Sequence, residues 1–448
     1  MAMKSNQTKA LLLVVALVCL TFISYSFYFF HSKPAETNSD KHISCTPERH
    51  VCVMKTLFGL EDNSDLLKNI TDTELPSEIK TSISRSLSWI AGAQLSNGGW
   101  GAGSHNRQDI RDPHLVTADP ATTSVVSLAL LRTGNTLTTG PYHQQLNKAT
   151  EFLLQAIEQW QADQPYLTRL TGTQPQQKLG QNIDAILTVQ YFTNLLKYHD
   201  QHPWKERIEK GLQKCVTRIE KEQDSDGGWK GGGWAPVLQS ALADRALESA
   251  GEAGMTVDTM VIAKSKNYQK GNFDTATKSA ITGKAAGVML YSLSSTTRSS
   301  AKEAKKAKLM VEKGRKEGKV NKDAKVDEEA LVKSGATPAE AKEMVAALMI
   351  NENTKNQSAR EDVMSGFGSN GGEELISYLM TGESIILQGD ADDWKKWYST
   401  MSKKIVSIQK QDGSWEGHHC ITSPVFCTAA ALLILSVQND LSLTPVAK

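Results

Sequence analysis

Three copies of one short pattern constrain what this chain can fold into. Gln94-x-x-Asn97-Gly98-Gly99-Trp100, Gln223-x-x-Asp226-Gly227-Gly228-Trp229 and Gln409-x-x-Asp412-Gly413-Ser414-Trp415 share one order: an amide or acid three positions after the glutamine, then glycine, then tryptophan six positions after it. Recurrence of this kind means that one supersecondary unit is being repeated. Within each copy, Asn-Gly or Asp-Gly reverses the chain by using the positive φ that glycine tolerates, and the flanking Gln and Trp close over the turn. Ahead of each copy runs an amphipathic helix, marked by Ile83, Leu87 and Ile90, by Ile208, Leu212, Val216 and Ile219, and by Trp397, Met401, Ile405 and Ile408. Behind each copy a second helix is expected to begin at Pro120, Pro236 or Pro424, since proline suits the first helical position, where its missing N–H has no partner. These second helices are drier: 425–437 is almost wholly apolar, and 122–131 carries only hydroxyls among its apolar residues. They are therefore expected to be covered on most sides. Alternation of half-wet and nearly dry helices predicts an outer and an inner layer, which a ring of helical hairpins satisfies.

The strips resemble the repeat of the terpenoid cyclase and protein prenyltransferase superfamily, the squalene-cyclase-like repeat, over roughly residues 78–438. That resemblance implies an all-α chain folded as an α/α toroid. It does not imply one chemistry, because the same toroid carries isoprenoid cyclisation, protein prenylation and the thioester domains of complement-like proteins. The Cys-Gly-Glu-Gln motif of the last group is absent from this sequence.

Domain organisation follows from the chain on either side of the repeats. Residues 1–9 carry Lys4 and Lys9, and from Ala10 to Phe30 there is no charged residue. At about 1.5 Å per residue such a run spans about 31 Å, the thickness of a bilayer's hydrocarbon core. It reads as a transmembrane anchor rather than a cleaved signal, because it ends in the aromatic cluster Tyr25 to Phe30 without a small-residue cleavage pattern. The lysines before it place the globular domain on the exported side. Residues 31–77 form a polar connector and 439–448 a tail. On an exported domain, Cys45–Cys52 and Cys420–Cys427 are expected as short-range disulfides, with Cys215 left as a buried thiol. The body reads as helices over about 78–94, 120–133, 142–160, 181–198, 204–223, 236–250, 255–269, 280–295, 300–316, 338–349, 372–388, 394–409 and 424–437, with no competing strand pattern. Two long polar segments, 101–119 and 162–180, have lengths that in compact domains usually go with function or disorder. The Lys-rich stretch 302–333 is offset by its own Glu and Asp residues and reads as a solvated outer helix or insertion rather than a basic docking patch. A formal net charge of +1 and 6% aromatics leave no nucleic-acid signature, which needs a concentrated basic face.

Several constellations bear on chemistry. Asp390-Ala391-Asp392-Asp393 has the form D-x-D-D, which by the resemblance supplies the general acid of a class II terpene cyclase. Here it runs into Trp394-Lys395-Lys396-Trp397 and a wet helix, so capping is the ordinary reading. Asp119 sits before Pro120 as a helix cap and lines the ring if buried. Trp234 precedes the helix that carries Gln239, Ser240, Asp244 and Arg245, polar residues that line the mouth or pair with one another. His418-His419-Cys420 invites comparison with the Asp, Cys and His zinc ligands of protein prenyltransferases. Adjacent histidines do not easily face one ion, and no Asp-x-Cys spacing accompanies them, so no metal and no cofactor is assigned. His418 is then a residue lining the mouth. The sequence is thus read as a membrane-anchored, exported toroid that binds an isoprenoid-like apolar ligand or a protein partner without catalysis. A cyclase using Asp390, Asp392 and Asp393 is the alternative, and a structural scaffold a third reading.

Overall fold

A computed structural model describes residues 75–161, 164–198 and 202–439. The apolar run 10–30 and the pair Cys45 and Cys52 lie outside the described residues. Among the described residues, no helix is long and apolar enough to cross a membrane.

The described residues are mostly helical. In order, the elements are α1 (Ser77–Gly92), α2 (Pro120–Arg132), α3 (His143–Gln159), α4 (Gln174–Leu179), α5 (Ile183–Leu196), α6 (Lys205–Lys221), α7 (Pro236–Glu252), α8 (Thr259–Lys270), the two-residue strands β1 (Phe273–Asp274) and β2 (Ser279–Ala280), α9 (Met289–Lys316), α10 (Glu328–Lys333), α11 (Pro338–Ser358), α12 (Glu361–Met364), α13 (Gly372–Gln388), α14 (Ala391–Ser407) and α15 (Pro424–Leu435). The strands pair antiparallel, with Phe273 opposite Ala280. As expected, α2, α7 and α15 each begin at a proline.

The two kinds of helix sort by burial. Every residue of α2, α5, α13 and α15 is buried, whereas α1, α3, α6 and α14 bury one stripe each. The dry helices touch in a closed order: α2 packs on α5, α5 on α7, α7 on α9, α9 on α13, α13 on α15, and α15 returns to α2. The wet helices lie against them, α3 on α2, α6 on α5, α8 on α7, α11 on α9 and α14 on α13.

The three strips show how the layers are fastened. Each tryptophan is buried and donates its indole N–H back to the preceding helix: Trp100 to the Ile90 carbonyl, Trp229 to Ile219 and Trp415 to Ile405, each at 2.8 Å. Asn97, Asp226 and Asp412 accept from the backbone N–H two residues on. Gly98, Gly227 and Gly413 have φ of 87°, 90° and 95°, and a Cβ at any of them would meet a carbonyl of a neighbouring helix within 2.8 Å. Each glutamine closes its own turn and reaches a further outer helix: Gln94 donates to the Gln145 carbonyl on α3, Gln223 to Val261 on α8, and Gln409 to Ser82 on α1. The third strip thereby ties the last outer helix to the first, and Arg85 of α1 adds a bond to the Lys410 carbonyl at 2.9 Å.

Two expectations change. The helices expected at 280–295 and 300–316 are one helix, α9, with 280–288 outside it. The run from Ser294 to Ser300 looks like a breaker, because short hydroxyl side chains compete with the helical backbone. Buried between α7, α11 and α13, three of its hydroxyls bond carbonyls one turn back instead, Thr297 to Leu293 at 2.7 Å, Ser299 to Ser295 at 2.8 Å and Ser300 to Thr296 at 2.7 Å. The far end of α9 forms a second small core with α10 and α11, built on Ala307, Val311, Leu331, Ala341 and Met344. The Lys-rich stretch is the wet side of this insertion, with pairs such as Lys316–Glu312 at 3.1 Å and Lys333–Glu329 at 2.6 Å.

The second correction concerns the expected Cys420–Cys427 disulfide: both thiols are free, as is Cys215. The side chains diverge. Cys427, in the first turn of α15, is buried and donates to the Ile421 carbonyl at 3.3 Å, whereas the Cys420 sulfur lies 2.8 Å from Nδ1 of His419. Sequence spacing brought the two close but did not fix their directions.

Candidate metal centre

The starts of the inner helices are stitched together at one end of their closed order. Gly372, opening α13, donates to the Ile421 carbonyl just before α15 at 2.8 Å, and Gln181 before α5 donates to the Gly231 carbonyl before α7 at 2.7 Å. Tyr291 in the first turn of α9 donates to Glu373 in the first turn of α13 at 3.3 Å. The two long polar segments lie over this end. Arg111 donates to the Gly417 carbonyl at 3.0 Å, and the Thr422 hydroxyl donates to the Gln108 carbonyl at 2.9 Å. From the other segment, α4 is latched across: Oε1 of Gln174 accepts from the N–H groups of Thr422 at 2.7 Å and Ser423 at 3.2 Å.

Beneath that cover, Glu373, His419 and Cys420 bring a carboxylate oxygen, an imidazole nitrogen and a thiol sulfur within 4.8 Å of one another. Glu373 is buried, Cys420 half-buried and His419 exposed. Cys420 has φ of 67°, uncommon for a residue with a side chain, and this turn lets neighbouring side chains that would diverge in an extended chain converge. Glu373 also accepts from the Ile421 N–H at 3.1 Å. Burial, with Glu373 beside it, pushes the Cys420 thiol up to about 11, while Lys178 pulls the other way. Burial likewise raises Glu373. Two acidic donors, Glu373 and Cys420, that resist ionisation so close together are a set that a dication stabilises, since metal binding replaces their protons.

The Lys178 ammonium stands 3.4 Å from the centroid of the Trp234 ring. Trp234 is 60% exposed, and His105 lies 6.4 Å from it, its pKa lowered by burial and by Lys178. His418 is exposed and is not part of the trio. Its backbone N–H donates to the Asn370 carbonyl at 2.7 Å.

A pair of buried carboxyls lies at the same end. Asp119 caps α2, accepting from Thr122 N at 2.7 Å and from Ala102 N at 2.9 Å, and burial lifts it to about 6. Asp184 accepts from Gln176 of α4 at 2.9 Å. Burial, and then Asp119 nearby, lift it to about 7, so near neutral pH this pair shares protonation.

Deeper, the inner helices meet through charge. Glu383 of α13 is fully buried and is reached by Arg245 at 2.9 Å, Arg132 at 3.3 Å and Arg298 at 3.6 Å. Glu248 pairs with Lys302 at 2.8 Å and Lys266 at 3.1 Å. Asp244 sits in this group, its pKa raised well above the usual range by burial and by Glu248. A pocket lined by Lys266, Gln269, Thr296, Ser300, Glu303 and Ile350 has about 10 Å³, room for one water.

Asp390, Asp392 and Asp393 stand apart from all of this. Asp390 and Asp392 are exposed, and Asp390 caps α14 by accepting from the Asp393 N–H at 3.0 Å. Asp393 is half-buried and pairs with Lys355. Asp392→Asn is therefore expected to change stability by no more than about 1 kcal/mol, as measured by urea denaturation.

Glu373, Asp184 and Lys178 are the residues that the sequence did not single out. Glu373 follows Gly371-Gly372 as one of two acids opening a dry helix, where the helix dipole alone explains an acid. No protein-family model matches the chain, and no curated protein sequence matches it.

Proposed function

We propose that this chain is an α/α toroid that binds a thiophilic divalent cation, zinc by donor type, through Glu373, His419 and Cys420, and that it is a binding protein rather than a cyclase. The toroid reading is supported by the closed order α2–α5–α7–α9–α13–α15 and by the Gln409 clasp from α14 to α1. The metal reading is carried by one observation, three donors of different kinds within 4.8 Å. Thiolate, imidazole and carboxylate suit Zn²⁺, and three protein ligands leave one tetrahedral position for an outside donor. A partner bearing a thiolate, imidazole or carboxylate is the class that such a position accepts.

Two observations weigh against an apolar isoprenoid as ligand. The inner helices present hydroxyls and an ionic cluster to one another, and of the D-x-D-D aspartates Asp390 and Asp392 are exposed while Asp393 is paired with Lys355 on an outer helix. Carbocation chemistry needs an apolar, aromatic-walled chamber over a buried acid. The uncharged run 10–30 supports a single-pass anchor with the toroid on the exported side.

Cobalt(II) titration tests the metal reading. The protein is expected to take up one Co(II) with a thiolate-to-metal charge-transfer band. Cys420→Ser should abolish the band and weaken binding by at least about 100-fold, since even outer-shell changes at metal sites cost about 10–100-fold. Binding unchanged by Cys420→Ser would remove the assignment.

A further inference from the structure

We propose that Asp184 carries a proton while α4 lies closed over the inner-helix starts, and that losing this proton opens α4. Asp119 and Asp184 are both sealed from water, at 0% and 1% exposure, and α4 is tied to each of them. Gln176 donates directly to Oδ2 of Asp184 at 2.9 Å. The Gln174 N–H donates to the Gly103 carbonyl at 3.0 Å, next to the Ala102 N–H that Asp119 accepts at 2.9 Å. The starts of α2 and α5 meet one turn further along, where the Ser124 hydroxyl lies 2.9 Å from that of Thr188, which donates to the Asp184 carbonyl at 2.7 Å. The Ala121 N–H acts on both carboxyls.

Donor supply decides which carboxyl holds the proton. Asp119 has three donors, the Thr122 N–H at 2.7 Å, the Thr122 hydroxyl at 2.9 Å and the Ala102 N–H, enough to hold a charge at a helix start. Asp184 has Gln176 on Oδ2, and among the described residues its buried Oδ1 has no partner. As a carboxylate it would leave that oxygen bare beside a second negative charge, whereas as an acid the same oxygen carries its own hydrogen. Among the described residues no cation offsets it. The buried faces of α3, α6 and α15 hold no charged residue. Arg132 of α2 and Asp244, Arg245 and Glu248 of α7 belong to the ionic cluster, Lys178 of α4 stands on Trp234, and Asp119 is the one charge acting on Asp184. An ionised Asp184 therefore needs water. Its cover on one side is α4, only six residues long, whereas α2 and α5 are buried at every residue. Closure holds Asp184 up at about 7 and opening to water returns it to the ordinary carboxylate range. Rising pH thus favours opening by up to about tenfold per unit until about pH 7, and no further above it. Opening also frees the N–H groups of Thr422 and Ser423 from Gln174.

The test is hydrogen–deuterium exchange of the full-length protein from about pH 5.5 to about pH 8.5, read on peptides covering α4 and normalised to the intrinsic exchange rate at each pH. In wild type, opening of α4 should rise at least about tenfold between about pH 5.5 and 7.5 and then level off. Asp184→Asn, whose amide supplies the missing hydrogen at every pH, should stay within about threefold across the range, at the closed level. Asp119→Asn keeps the cap and removes the like charge, so its opening should level off at least about 0.5 pH unit below wild type, and it decides the matter if Asp184→Asn does not fold. Wild-type opening that ignores pH, the same tenfold rise in Asp184→Asn, or an unmoved level-off in Asp119→Asn overturns the latch and leaves the metal centre standing.

Discussion

Trp415→Ala lowers the stability of the folded chain by about 3–5 kcal/mol, read as a shift of the urea midpoint followed by helical circular dichroism. The indole is 1% exposed, so truncation opens a cavity between α14, α15 and the turn. It also leaves the Ile405 carbonyl without the donor now at 2.8 Å. The site matters more than an ordinary core position because the same strip, through Gln409 and Ser82, fastens the last outer helix to the first. A loss below about 1 kcal/mol would mean that the strip is decoration and not a fastening.

Glu383→Ala is the second large effect, about 3–5 kcal/mol by the same measurement. One carboxylate, wholly buried, faces guanidinium groups from three other inner helices: Arg132 of α2, Arg245 of α7 and Arg298 of α9. Its removal leaves these positive charges facing one another in a region of low dielectric, which costs far more than an exposed pair contributes. Glu383→Gln, which keeps the shape and some hydrogen bonding, should fall between wild type and Glu383→Ala. Equal stability of all three would show that the interior is wet enough to screen its own charges.

The parts of this fold legible in the sequence are those fixed by local chemistry. Gln223, Asp226, Gly227 and Trp229 announce their turn because amide, acid, positive φ and indole act within seven residues, and Pro120, Pro236 and Pro424 announce helix starts for the same reason. Burial overrides local propensity elsewhere. The hydroxyl-rich middle of α9 reads as a break, yet once surrounded it has no water to turn to and bonds its own helix. The ionic cluster was half legible: Asp244 and Arg245 mark a polar stretch on a dry helix, but Glu383 lies on a helix far along the chain, and only the closed order brings it to them. The metal centre was hidden for a related reason. His419 and Cys420 are visible as a pair, but adjacency argues against joint ligation until φ of 67° at Cys420 is known. Glu373 joins them only because α13 and α15 start side by side. The Cys420–Cys427 disulfide was misjudged because spacing carries proximity without direction, and the two sulfurs face different partners.

One measurement bears most directly on the account: anomalous diffraction at the zinc edge from crystals of the full-length protein grown with zinc. The account predicts an anomalous peak within bonding distance of the Cys420 sulfur, the His419 imidazole and the Glu373 carboxylate, about 2.0–2.3 Å from each. Ordered density for all three side chains with no peak between them, in zinc well above the concentration that saturates the cobalt titration, would contradict it.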